Sequence, residues 1–238
     1  MSDANTEAPS LSRRAMAEAV GTSMLLATVV GSGIMAERLA DGNVAVALLA
    51  NSIATAAGLV AYILAFGPIS GAHFNPVVTL ADASQRGMPW RDVPVYIIAQ
   101  VIGGVVGVVI ANLMFDLPAV NVSMRERNGF AQLLGEFVAT FGLMAVIWGC
   151  SRYRAAAVPF AVAAYIAGAY WFTSSTSFAN PAVTIARTLS DTFAGIRPTD
   201  APAFIGAQIA GAAAATILFR WLIPTLRRNA ADVVVPHD

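Results

Sequence analysis

The chain contains no lysine and one cysteine, Cys150, among 238 residues. A lone cysteine excludes a disulfide framework. With only His73 and His237 as imidazole donors, a zinc cluster is excluded as well. Charge of either sign is scarce, at 12% of residues against roughly 25% in soluble domains. Fourteen basic and fourteen acidic residues cancel to a net charge of zero, which argues against nucleic acid as a partner. A nucleophile–base pair, a metal-ligand cluster and a phosphate loop are also missing, which makes an enzyme the least expected class and leaves no metal site.

What the chain has in excess is apolar residues, at 57%. Crossing the hydrocarbon core takes about 20 of them in succession. Six segments qualify, near 15–35, 44–66, 93–115, 130–149, 156–172 and 203–223. Two more, 75–83 and 180–189, are apolar but half as long, so they read as re-entrant pieces. The polar opening "MSDANTEAPSLSRR" leads into the first span without a small-residue cleavage pattern, so it reads as a tail and not a removed signal. Arg13, Arg14, Arg86, Arg91, Arg152, Arg154, Arg220, Arg227 and Arg228 fall on one side of a six-span arrangement, and five arginines on the other. The positive-inside rule then puts both termini in the cytoplasm.

The chain also repeats itself. "GAHFNPVVTLAD" (71–82) returns as "SFANPAVTIART" (177–188), and "AEAVGT" and "GEFVAT" open the two halves with Glu18–Thr22 and Glu136–Thr140, four apart on a helix face. Each half holds three spans and one short segment, giving repeats at 15–115 and 129–224 joined by a loop at 116–128 and flanked by tails at 1–14 and 225–238. An odd number of spans inverts the second copy, so the short segments dip in from opposite faces and meet near the midplane.

Asn is a strong N-cap and Pro fits the first helical position, so Asn75-Pro76 and Asn180-Pro181 each read as a helix start. Irregular backbone precedes both, and such backbone survives at membrane depth only where it is buried in protein or lines a watery cavity. Two caps meeting tip to tip place two amide donors and two positive dipole ends at mid-membrane, where a neutral hydroxyl is accepted and a cation repelled. Glu18 and Glu136 sit about one turn into their spans. Such carboxylates either relay protons or accept N–H groups of a nearby loop, and their matched placement favours the scaffold.

At these residues the chain resembles the aquaporin, or major intrinsic protein, family, over nearly its whole length. The resemblance implies an all-α membrane fold of six spans and two half-helices in an inverted 3+3 repeat. It further implies a homotetramer in the inner (plasma) membrane with one pore per subunit, no cofactor and no chemical step. Such pores select by diameter, lining groups and fixed dipoles. The resemblance makes Asn75, Pro76, Asn180 and Pro181 the central constriction. Gly71, Ala72, His73, Phe74, Phe178 and Ala179 then offer backbone to the path, with His73 as a packed loop residue. Val183 stands where water and glycerol channels carry an arginine. Counting back from the asparagines puts the other filter positions at Thr55, Gly168 and Ser177, a wide and uncharged set.

Arg187, one turn beyond Val183, reads either as an interfacial partner of Asp191 or as a vestibule charge. A wide filter without arginine is similar to the bacterial arsenic-resistance-linked type. The expectation is therefore a passive channel for arsenite, antimonite, glycerol-like polyols and water. The alternatives are a water-dominant channel and an ion-coupled secondary transporter.

Overall fold

The computed structural model describes residues 9–223. Arg227, Arg228, His237 and most of both expected tails lie outside the described residues. Eight α-helices form among those described: α1 Leu11–Leu39, α2 Val44–Ser70, α3 Pro76–Gln85, α4 Val93–Met114, α5 Phe130–Tyr153, α6 Val158–Phe172, α7 Pro181–Ala186 and α8 Ala201–Leu222. Six of these elements are long and apolar enough to cross a membrane, and α3 and α7 are the two short pieces. The fold is the six-span, two-half-helix arrangement expected from the sequence. α1 is longer than expected and already includes Arg13 and Arg14.

Glycine sets how close the helices come. A Cβ on Gly103 or Gly107 of α4 would lie 2.1 or 2.2 Å from the carbonyl oxygens of Ala19 and Ser23 on α1. On Gly211 of α8 it would lie 2.5 Å from the Phe137 oxygen of α5. The first and last spans of each half therefore cross backbone to backbone. This is how helices associate when lipid supplies no hydrophobic drive. Outward faces keep bulky apolar side chains exposed, such as Ile53, Ile102, Phe160 and Ile217. The buried polar residues gather inside the bundle.

Following the helices from α1 gives the layout. The α1 start, the α2 end, α3 and the α8 end share one face of the bundle, the terminal face. The 115–129 loop, α7 and the 187–200 segment share the other, the distal face. An Arg14–Asp92 ion pair at 2.9 Å closes the terminal face between α1 and the start of α4. Arg38 donates to the Phe115 carbonyl at 2.7 Å and closes the distal face at the other end of the same helix pair.

Candidate functional site

The two half-helices begin as their residue types dictate. Asn75 Oδ1 accepts from Val77 N at 3.1 Å, and Asn180 Oδ1 accepts from Ala182 N at 2.9 Å and Val183 N at 3.3 Å. Pro76 and Pro181 occupy the first helical positions. Each cap is worth about 1 kcal/mol. Capping occupies only the amide oxygen of each side chain.

The amide nitrogens reach across the repeat. Asn75 Nδ2 donates to the Ala179 carbonyl and Asn180 Nδ2 donates to the Phe74 carbonyl, both at 2.8 Å. Each tip is thus fastened to the loop preceding the other tip. An amide nitrogen carries two hydrogens. One is used in the crossing bond, and one is left for a molecule in the cavity that both asparagines line.

The loops leading to the tips share an unusual backbone. Gly71, Ala72 and Phe74 have φ of +85°, +48° and +49°, and Thr176, Ser177 and Ala179 have +62°, +54° and +48°. The three positions correspond one to one at the offset that relates Asn75 to Asn180. Left-handed backbone at a residue with a Cβ costs on the order of 1–3 kcal/mol and persists only where surroundings hold it.

Here the two buried glutamates hold it. Glu18 accepts from Ser70 Oγ (2.7 Å), His73 N (2.9 Å), Phe74 N (2.7 Å) and Gln100 Nε2 (2.8 Å). Glu136 accepts from Phe178 N (2.8 Å), Ala179 N (2.9 Å) and Gln208 Nε2 (2.6 Å). The same two glutamines also donate to Thr79 and Thr184 on the half-helices, each at 2.9 Å. His73 packs as a loop residue, its Nδ1 at 3.1 Å from the Thr79 hydroxyl.

A cavity of about 80 Å³ lies beside the tips. Ala72, His73, Phe74, Asn75, Phe178, Ala179 and Asn180 line its middle, and Thr55, Ser177, Val183 and Arg187 also line it. Val77 faces a groove against α8, and Val78 lines the cavity.

Two expected wall residues need correction. Gly71 is not among the residues that line the cavity. Gly168 is not in the wall. It is exposed on α6, and a Cβ built on it would meet nothing within 4 Å. The α6 residues that line the cavity are Val162, Ile166 and Tyr170, spaced one turn apart on a single helix face. Ungapped counting fails because 173–180 is irregular, and two residues of slip turn a helix by about 200°. Tyr170 faces inward in place of Gly168, with its hydroxyl 3.2 Å from Thr55 Oγ1.

Of the two readings of Arg187, the pairing with Asp191 does not form. Asp191 accepts from Met124 N at 2.9 Å. Arg187 is buried, its Nε donates to the Ala194 carbonyl, and its guanidinium carbon lies 3.4 Å from the centroid of the Phe178 ring. The cavity wall is therefore not free of charge.

Arg127, which carried no signal in the sequence, completes the distal mouth. Its backbone N donates to Asp200 at 2.9 Å, and its side chain donates to the carbonyls of Gly195 (2.8 Å) and Ser175 (3.1 Å). It reaches the same Phe178 ring, with its guanidinium carbon 4.9 Å from the centroid. Burial pulls its pKa down to about 9, and the positive charges of Arg187 and Arg125 add to the shift. Placed in a polar loop, "SMRERNG", it looks like any solvated arginine.

Two half-helices fastened nose to nose inside six spans, with a narrow lined passage beside them, define a membrane pore protein built by inverted duplication. The chain belongs to the major intrinsic protein family of membrane channels, whose sequence profile matches residues 5–154. It is 52% identical over 217 residues to Aquaglyceroporin AqpS of Rhizobium meliloti (strain 1021), covering 91% of this chain and 93% of that protein. It is 37% identical over 98 residues to the Glycerol uptake facilitator protein of Bacillus subtilis (strain 168), covering 34% and 36% of the two chains. The X-ray structure of the aquaglyceroporin from Plasmodium falciparum superposes with a TM-score of 0.69 at 19% identity, covering 91% of this chain and 99% of that one, which supports the fold.

Proposed function

We propose that the chain forms a passive channel for small neutral solutes: glycerol-like polyols, arsenite, antimonite and water. The observation that carries this reading is the crossed asparagine pair, which leaves one amide N–H on each tip for a passing hydroxyl. Among the described residues no carboxylate lines the cavity, so a cation meets no compensating charge there. Thr55, Ser177 and Val183 are small or medium residues in the wall. The similarity to named aquaglyceroporins supports the polyol class. The uncommon residue at 183 supports extending that class to trihydroxides such as arsenite. No chemical step is involved.

Arginine distribution supports cytoplasmic termini in a plasma membrane. On that orientation the distal mouth opens outside. Family membership supports a homotetramer with a pore in each subunit.

Tyr170 favours a second reading. It points a ring into the place where a glycine was expected, and that narrowing suits a water-dominant channel.

Proteoliposomes at matched protein content decide between them. Water, glycerol and arsenite fluxes should all exceed those of empty vesicles. They should rise linearly with concentration and ignore proton and sodium gradients. Water flux without glycerol or arsenite flux would select the narrower reading. Saturation or gradient dependence would instead mean a coupled carrier.

A further inference from the structure

The distal end of the cavity holds a positive charge, Arg187, that no ion pair meets among the described residues. Arg187 is 3% exposed. Its expected partner Asp191 is turned toward Met124. Glu136 is already occupied by three N–H donors. The second guanidinium on the Phe178 ring, Arg127, adds positive charge, and its Nε and both terminal nitrogens are taken by carbonyls. A buried charge without a counter-charge is costly, and a bound anion removes that cost.

The donors of Arg187 point to what kind of anion. Its Nε is tied to the Ala194 carbonyl, and among the described residues neither terminal nitrogen has a protein acceptor. The side chain lines the cavity. Stacking on Phe178 fixes the plane of the fork. Two parallel N–H groups on a fixed fork match two oxygens of one oxyanion better than a spherical halide.

A second observation is independent of the charge. Ser177 Oγ is buried in the same wall and has no hydrogen-bond partner. Its left-handed backbone, φ +54°, holds it in that position. An orphaned buried hydroxyl costs free energy until something in the cavity meets it. Tyr170 and Thr55 share one hydrogen bond between two hydroxyls, which leaves a further O–H to turn toward a ligand.

We propose that the distal end of the cavity is a binding site for one small oxyanion, with the Arg187 fork as the charge and Ser177 and Tyr170 as neutral donors. The inference rests on the channel reading in one respect. Because the site lies in the passage, a bound oxyanion obstructs neutral solutes.

The test uses the full chain in proteoliposomes, with glycerol as the permeant and inorganic phosphate as the probe. Chloride at equal ionic strength is the control. Phosphate should slow glycerol flux in the parent more than chloride does. Arg187→Gln should lower phosphate sensitivity about tenfold or more, the worth of a lost charge-assisted pair. Arg187→Lys should keep an anion effect but lose the preference for phosphate over chloride. Ser177→Ala should weaken phosphate severalfold and serves if the arginine variants do not fold.

A thermal midpoint in detergent, raised by phosphate in the parent and not in Arg187→Gln, reads the site without any flux. Absence of glycerol flux in the parent would overturn the polyol reading, and the midpoint would still decide the site. Equal effects of phosphate and chloride in the parent, or equal phosphate sensitivity in Arg187→Gln, would overturn the proposal.

Discussion

Replacing Glu136 by Gln changes one oxygen into an amide nitrogen and leaves shape unchanged, so its cost is set by where that nitrogen can go. Glu136 Oε1 receives one donor, Phe178 N, and Oε2 receives two, Ala179 N and Gln208 Nε2. The amide will place its nitrogen against the single donor. Phe178 N is then orphaned, at about 1–3 kcal/mol. The two remaining bonds become neutral ones and each weakens by roughly 1 kcal/mol. Relief from burying an ionised group offsets part of this.

The net destabilisation is about 2 kcal/mol, or roughly 4–8 °C in melting midpoint for a chain of this size. Glu18→Gln should fall within about 1 kcal/mol of the same value. Ser70 can rotate its hydroxyl to accept, which again leaves one orphan, His73 N. Glu136→Ala orphans all three donors and should leave little folded protein. The measurements are the melting midpoint in detergent and glycerol flux per folded channel. The scaffold argument predicts a lower midpoint with flux per folded channel retained. A parental midpoint with pH-dependent flux would refute it and make the carboxylate a proton relay.

Other substitutions probe other parts of the wall. Asn180→Asp sets a carboxylate against the Phe74 carbonyl that the amide now bonds, so neutral-solute flux should fall and a cation current should appear in electrical recordings. Parental glycerol flux with no cation leak would count against the crossed tips. Val183→Arg adds a second guanidinium one turn from Arg187. Glycerol and arsenite flux should drop severalfold and water flux less, and equal fluxes to the parent would remove position 183 from the constriction. Gly168→Phe should leave water and glycerol fluxes unchanged, because the position faces away from the cavity into open space. Gly103→Val drives a side chain into the Ala19 carbonyl and should abolish folded yield on size-exclusion chromatography.

The capped asparagine tips were legible in the sequence because their chemistry is local. An Asn-Pro start is a cap wherever it occurs, and its recurrence in an inverted half fixes where the two caps meet. Glu18 and Glu136 were legible for a related reason: a carboxylate in a span must find donors, and the nearby loops supply them. The misplaced residues depend on geometry that spacing does not carry. Gly168 was reached by counting through eight irregular residues, where a slip of two reverses the helix face. For Arg187, helical spacing left Asp191 open as a partner beside the vestibule reading. The chain leaves the helix at Arg187–Leu189, so i and i+4 no longer share a face. Arg127 left no trace because its partners are backbone carbonyls from remote loops, which have no residue-type signature.

Each asparagine tip is closed by a carbonyl from the other half, so neither half carries a finished gate. A polypeptide ending near residue 115 would keep Asn75, Pro76 and the Glu18 cradle, yet Asn75 would find no Ala179 to bond. Such a fragment could complete the gate only by meeting a copy of itself inserted the other way up. The long connecting loop makes that encounter intramolecular and fixes its stoichiometry at one to one. The two copies are thereby released from having to be identical. Freed from self-complementarity, one copy could take Val77 and the other Ala182 at matching positions, and only the second acquired an arginine stacked on its loop phenylalanine. The asymmetry of the mouth is a consequence of fusing two opposed halves into one reading frame.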